Sequence, residues 1–487
     1  MINLLPDNLA NLAAITVLLP FLGAALVALG PHAAGKWLCQ IFAAIDLAFL
    51  VALIVEFASG GHVGSTVSVI AYGHTQILGI AVDNVSVLIA FLVIAIGVLV
   101  AVYSASYLNA GNREHPDIGR KRYYAFLLVF IGAMSGLVFS STIVGQLVFF
   151  EITGACSWAL IGYYESPKAL RSAAKALIIT HIASLGLYLA AALLFVQTGT
   201  FQLTAIATLS PGLKAGILLA VLFAAWGKSA QLPMHMWLPD AMEAPTPVSA
   251  YLHAASMVKV GVYIYARALM SAGGVPHVVG WIGATMAVVT MVYGFVMYLP
   301  QADMKRLLAY STITQLSYIF LGLSVSVFGS ELAFKGAVAH IFNHAFAKTL
   351  FFLVAGSLAY TAGTRLLPSL RGILRKSPLL GVSFVVAALA IAGVPPFSGF
   401  FSKFAIFAGG FSVSADRWPL MLLMVIALLE SVGTFAWFLK WVGYTVPGEM
   451  SDTVEAASPL PAGMKFVLGA LIVMSVCSSF IAASWLG

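Results

Sequence analysis

The sequence predicts an all-α polytopic membrane protein of about fourteen transmembrane helices, with two inverted five-helix repeats and breaks in helices seven and twelve. Three observations lead there. Hydrophobic residues make up 61% of the 487 and charged residues 8%, with a mean hydropathy of +1.01, whereas soluble domains carry about a quarter charged. Apolar runs of roughly 20 residues, each long enough to cross a hydrocarbon core, follow one another almost end to end. Two of these runs are interrupted by proline close to a lysine.

The runs centre near residues 19, 47, 92, 132, 152, 185, 225, 258, 287, 315, 346, 392, 430 and 474. The first is preceded by Asp7 and by no basic residue, and it lacks a small-residue cleavage site, so it reads as an uncleaved span and not as a signal peptide. The connections are short; no globular domain is expected outside the bilayer, and no strand anywhere. Of the 24 Lys and Arg, sixteen fall in loops after odd-numbered spans, three (Lys214, Arg267 and Arg417) in the opposite loops, and five inside spans. That bias places the sixteen in the cytoplasm of a bacterium and both termini outside its inner membrane. The acidic loop around Asp240 and Glu243 runs against the trend. The net charge of +7 then expresses topology, and no nucleic-acid partner is needed to explain it. Cys39, Cys156 and Cys477 are too far apart for a metal or iron–sulfur set, and no Gly-rich dinucleotide fingerprint is present, so neither metal nor cofactor is expected.

In Trp226-Gly227-Lys228-Ser229-Ala230-Gln231-Leu232-Pro233 the proline removes an N–H and collides with the carbonyl of Ser229, beside Lys228. Gly393-Val394-Pro395-Pro396-Phe397-Ser398-Gly399-Phe400-Phe401-Ser402-Lys403 repeats the design. Free backbone groups at membrane depth persist only inside protein or along a wet cavity, and paired breaks in two halves of a chain mark transporter sites. The breaks lie five spans apart. This divides the chain into a three-helix segment (1–110), a first repeat of spans four to eight (111–272), a second of spans nine to thirteen (273–446) and a last span (447–487). The alternative is the ordinary abundance of Pro and Gly in membrane helices.

The ions inside the spans are the candidate working parts, because a charge at a helix centre costs roughly 2.5–3.5 kcal/mol to insert. His340, His344 and Lys348 recur at i, i+4 and i+8 in span eleven, which puts two imidazoles and an ammonium on one face. Imidazole both accepts and donates near neutral pH, so the stripe suits a proton relay. Zinc chelation is the rival; no carboxylate or cysteine stands in register. Glu151, flanked by aromatics, needs a proton or a partner, and Lys228 is the expected counter-ion of a two-residue switch; a static interhelical ion pair is the alternative. His253 and Lys259 in span eight are six residues apart and face different ways. His181 and Glu430 read as hydrogen-bonded structural groups. Lys335 is expected to snorkel, and no role is assigned to Asp46.

The stretch Trp237-Leu238-Pro239-Asp240-Ala241-Met242-Glu243-Ala244-Pro245-Thr246-Pro247, with Lys228 before it and the histidine stripe after it, resembles the antiporter-like subunits of respiratory complex I and of Mrp-type cation/proton antiporters. Asn112-Arg113-Glu114-His115-Pro116, Arg122-Tyr123-Tyr124-Ala125-Phe126-Leu127-Leu128 and Trp226-Gly227-Lys228-Ser229-Ala230-Gln231 are most similar to the hydrogenase-4 component D branch. The resemblance implies fourteen helices with breaks in seven and twelve. It also implies a Glu151–Lys228 pair that drives pumping, a helix-eight relay at His253 or Lys259, a helix-eleven relay at His340, His344 and Lys348, and a helix-twelve residue at Lys403. Family members usually carry either the histidine or the lysine on helix eight, and this chain has both. The chain ends at Gly487 just after the last span, so the lateral helix of some complex I members is not expected.

The expected function is proton translocation in the membrane arm of a group 4 NiFe hydrogenase or formate hydrogenlyase-like complex. The energy would come from electron transfer in a hydrogenase or quinone-reductase peripheral arm, with other membrane-arm subunits and lipid as partners. The alternatives are an Mrp-type antiporter subunit in which Na⁺ shares the route, a complex I antiporter-like subunit, and a scaffold. A lysine-rich lining repels Na⁺ and favours protons.

Overall fold

A computed structural model of the chain describes residues 7–116 and 119–487. Among the described residues twelve helices are long and apolar enough to cross a membrane. They are Asn8–Leu29, His32–Ser59, Asn84–Tyr107, Lys121–Phe139, Ile143–Ile161, Pro167–Thr198, Pro211–Lys228, His277–Tyr298, Met304–Ser326, Glu331–Ala362, Trp418–Thr445 and Ala462–Leu486. Spans eight and twelve complete the expected fourteen and are missing from that set because each is interrupted. Span eight is Thr246–Ala254 followed by Met257–Ser271, and span twelve is Pro378–Ala392 followed by Ser398–Ser414. Polar caps set several starts: Asp7, Asp83, Thr142, Ser166, Asp303 and Ser330 each accept from a backbone N–H in the first turn.

The loop between spans two and three corrects one expectation. It folds into an antiparallel hairpin, β1 (Ser65–Tyr72) and β2 (Thr75–Val82), closed by a two-residue turn in which Gly73 has φ +60. The segment is rich in β-branched residues and bounded by Gly64 and Gly73, which is strand chemistry. Each strand is eight residues long, too short to read as a 20-residue apolar run. β2 is the buried strand; Thr142 donates to Ile77 O at 2.7 Å, which ties it to the start of span five.

Both expected breaks are present, and their backbone groups are accounted for. After Lys228 the chain turns through Ala230 at φ +51; Ser229 O accepts from Gln231 Nε2 (3.0 Å) and Gly227 O from Trp237 Nε1 (3.0 Å). In span twelve Gly393 adopts φ +84, and Ser398 O accepts from Asn343 Nδ2 (3.1 Å) and Ser479 Oγ (2.9 Å). The partners come from spans eleven and fourteen, so the opened helix is braced by its neighbours, as backbone polar groups at membrane depth require. A third break, at Ala255 and Ser256, was not foreseen, since neither proline nor glycine marks it. Tyr251 O accepts there from Ala255 N (3.1 Å), Ser256 N (3.0 Å) and Ser256 Oγ (2.9 Å).

Spans ten and eleven are enclosed on all sides, whereas spans two and thirteen turn most of their surface outward. Large apolar side chains such as Ile178, Leu185 and Leu189 on span six and Leu429 and Val432 on span thirteen cover the outer face. The enclosed pair is thus the axis around which the rest is packed. Gly399 fixes one close approach: a Cβ there would lie 1.9 Å from Ala390 O. Gly399→Ala is expected to lower stability by about 3 kcal/mol, because a backbone oxygen cannot yield as a side chain does; the thermal midpoint of the detergent-purified protein checks this, and an unchanged midpoint would contradict it.

Candidate proton path

Spans eight, ten, eleven and twelve bring polar side chains to the enclosed axis, the lysines and histidines coming from eight, eleven and twelve. His340, His344 and Lys348 are buried along span eleven, and the two imidazole centroids are 5.8 Å apart. Lys259 Nζ from span eight lies 2.8 Å from His344 Nδ1. His340 is held between Ser402 Oγ of span twelve (2.8 Å) and Gln315 Oε1 of span ten (3.2 Å). Lys348 donates to Ser311 Oγ (2.9 Å), while His253 Nδ1 is 3.3 Å from Thr312 Oγ1 and its ring packs on Phe352. His253 and Lys259 both reach the same interior although six residues separate them. The break at Ser256 lies between the two and re-aims the second half of span eight.

At one end of this line Lys403 Nζ sits 4.4 Å from the Tyr318 ring centroid and 3.5 Å from Ser431 Oγ. Tyr318 in turn donates to Glu430, which also accepts from Thr434 and, at 3.3 Å, from Tyr298. Glu430 is therefore a hydrogen-bonded group, as the sequence suggests, and it stands one tyrosine away from Lys403.

At the other end Lys228 is buried and donates to Phe150 O (2.8 Å), with its ammonium 4.1 Å from the Phe150 ring centroid. Glu151 is the next residue, yet both its oxygens face His181 Nδ1 at 3.2 Å. The Glu151–Lys228 contact expected from sequence is not direct in this structure. Adjacent helical residues project about 100° apart, so Lys228 meets the inner side of span five while Glu151 looks outward. The His181 side chain is 58% exposed and that of Glu151 29%. Lys335 pairs with Glu331 (3.0 Å) and Gly487 O (2.8 Å) at a helix end, away from the axis. Asp46 is buried with no partner for either oxygen, and nothing in its surroundings explains it.

The family model for the membrane subunits described as "NADH:quinone oxidoreductase/Mrp antiporter, TM" matches residues 140–431. This chain belongs to that family. Its antiporter-like sequence is 34% identical to a Na(+)/H(+) antiporter subunit of Alkalihalophilus pseudofirmus over 81% of the chain and 51% of that protein. It is 36% identical to NAD(P)H-quinone oxidoreductase chain 5 of Picosynechococcus sp. over 71% of the chain and 53% of that protein. The chain thus spans about half the length of the curated relatives it matches. Among solved structures, a chain of the Mrp complex from Dietzia sp. superposes with a TM-score of 0.84 at 30% identity, covering 97% of this chain and 51% of that one. A chain of the archaeal membrane-bound sulfane sulfur reductase shares the fold, with a TM-score of 0.82 at 24% identity and coverage of 97% and 95%.

In this antiporter-like protein the axis consists of groups that both give and take protons, joined by hydroxyl and amide side chains. His253 Nε2, His344 Nε2 and Gln315 Nε2 are buried without a protein partner, and such atoms take water. Among the described residues no three His, Cys, Asp or Glu side chains converge in a metal-holding group. Ser311, Thr312, Gln315, Tyr318 and Ser402 join the site although sequence reasoning passed over them. The signal was available: Ser311-Thr312-Ile313-Thr314-Gln315-Leu316-Ser317-Tyr318 is dense in polar residues for a span centre. Tyr318→Phe leaves Glu430 one donor short in a buried site and is expected to cost about 1–3 kcal/mol. Thermal unfolding in detergent measures it; a midpoint equal to wild type would show that Tyr318 does not support Glu430.

Proposed function

We propose that this protein translocates protons through the membrane arm of a redox-driven complex. The observation that carries the reading is the enclosed line of Lys259, His344, His340 and Lys403, with Lys348 and His253 beside it: Lys259 Nζ touches His344 Nδ1, the His344 and His340 rings lie 5.8 Å apart, and hydroxyl and amide side chains hold His340, Lys348 and His253. Lys228 and Glu151 stand to one side of that line, next to span eight where Ser229 Oγ donates to Val258 O, and their coupling runs across Phe150. A change that swings Glu151 from His181 toward Lys228 would bring the two charges together, and its reversal would free the lysine's proton. The first five-span unit, 111–272, supplies the broken spans seven and eight, and the second, 273–446, supplies span twelve. The basic face is cytoplasmic in this reading, by the loop bias, with both termini across the membrane.

The similarity of the Asn112–Pro116, Arg122–Leu128 and Trp226–Gln231 stretches to hydrogenase-4 component D favours a group 4 hydrogenase or formate hydrogenlyase-like arm as the source of energy. The likeness to Na(+)/H(+) antiporter subunits favours a second reading, exchange of a monovalent cation for protons. Sodium is bound by oxygen ligands, as hard cations are, and the axis offers nitrogen donors, which supports the proton.

The two readings part in one experiment on the whole complex in sealed vesicles. Lys228→Ala is expected to cut redox-driven acidification about a hundredfold, the lower end of the scale for a lost proton-transfer group, while hydrogen or formate turnover continues and replacing Na⁺ by choline changes nothing. A strong dependence on Na⁺ would favour exchange. If turnover and acidification both persist in a fully assembled Lys228→Ala complex, the protein is a scaffold.

A further inference from the structure

Four segments far apart in sequence meet at the basic end of the bundle, outside the path just described. The loop between spans three and four is built on Asn112, which is buried: its Oδ1 accepts from the N–H groups of Glu114 (3.0 Å) and His115 (3.1 Å), and its Nδ2 donates to Tyr107 O (3.3 Å). The backbone at both residues is thereby fixed. Arg365, in the loop after span eleven, donates to Glu114 Oε1 (2.8 Å) and to Asp303 Oδ2 (2.6 Å). Lys305, in the first turn of span ten, donates to Met242 O (2.8 Å) and Ala244 O (2.7 Å) in the turn before span eight.

These groups enclose a polar cavity of about 20 Å³, room for one water. Two atoms among its lining residues, Glu114 Oε2 and the Tyr164 hydroxyl, are buried and have no protein partner. A carboxylate oxygen and a hydroxyl beside one small polar cavity are what a single bridging water satisfies. His115 is exposed at the rim, its ring stacked on Tyr164 with centroids 4.4 Å apart. On the inner side Tyr107 shares a hydrogen bond with Thr246 Oγ1 (3.2 Å), at the first residue of the helix Thr246–Ala254. His253 lies seven residues further along that helix, two turns on and on the same face.

We infer that this cluster is the proton-loading site of the path, resting on the translocation reading above. His115 takes a proton from bulk water, forming an N–H bond. That bond breaks as the proton passes to the water held between Glu114 and Tyr164, from which it moves inward past Tyr107 and Thr246 toward His253. One proton enters and one leaves, and nothing is oxidised or reduced. The charges facing His115 suit a site that loads and empties. Partial burial against Tyr164 lowers its proton affinity below the ordinary histidine value, the Glu114 and Glu243 carboxylates raise it, and Lys305 and Arg365 lower it again. The net shift is downward.

The test uses the whole complex in sealed vesicles with the pH on the basic face varied. His115→Gln is expected to slow translocation about tenfold near pH 8 and only about twofold near pH 6, because abundant protons replace a missing loading group. Tyr164→Phe keeps the ring under His115 and removes the hydroxyl; it is expected to slow translocation about threefold near pH 8 with normal assembly. Lys259→Ala serves as the reference for the path itself and should abolish translocation at every pH. If Lys259→Ala stops translocation while His115→Gln and Tyr164→Phe match wild type, or lose the same fraction at both pH values, the loading site is overturned and the path stands. If Lys259→Ala is silent, the path and the loading site fall together.

Discussion

Removing a charge from water inside a bilayer is the constraint on which the rest of this structure depends. Lys228, Lys259, Lys348 and Lys403 are buried together with His253, His340 and His344, and no carboxylate stands within ion-pair distance of any of them among the described residues. Each nitrogen is held instead by something weaker: a carbonyl for Lys228, a serine for Lys348, an imidazole for Lys259, a tyrosine face for Lys403. A tight buried ion pair would be hard to break without leaving one charge stranded. Hydroxyls, amides and ring faces support a proton without trapping it. Lys259 Nζ and His344 Nδ1 stand one hydrogen bond apart at 2.8 Å.

The broken helices follow from the same constraint. A continuous helix satisfies its backbone groups internally and presents none of them to its neighbours at membrane depth. Opening spans seven, eight and twelve exposes carbonyls at membrane depth, and every opening is braced by a side chain: Gln231 and Trp237 at the first, Ser256 at the second, Asn343 and Ser479 at the third. Close helix approach makes the bracing possible. Gly261 packs against span seven where a Cβ would lie 2.2 Å from Ala225 O, and Gly399 does the same within span twelve.

The outward turn of Glu151 gives the arrangement a sense of direction. The axis residues are sealed inside this chain, while Glu151 and His181 lie on a face that also exposes Val148, Ile178 and Ile182. A carboxylate and an imidazole in such a place satisfy each other, yet they are the members of the constellation nearest to whatever lies alongside. Their state can respond to a neighbour, whereas that of His340 or Lys348 responds only to the chain's own interior.

Composition, run length and residue spacing by themselves determined the number of spans, the breaks at Pro233 and Pro395-Pro396, and the His340/His344/Lys348 stripe, because these are one-dimensional consequences of bilayer thickness, proline's missing N–H and the helical repeat. The hairpin at residues 65–82 was within reach of the same reasoning but too short for a span search. Only the tertiary structure decided which polar groups meet: that Lys259 finds His344, that Glu151 finds His181 and not Lys228, and that span eight opens at Ser256 without proline or glycine. Those outcomes depend on distances between helices far apart in sequence, and on the direction each side chain leaves its helix, where one position along the chain turns a group by about 100° from the interior toward the outer face.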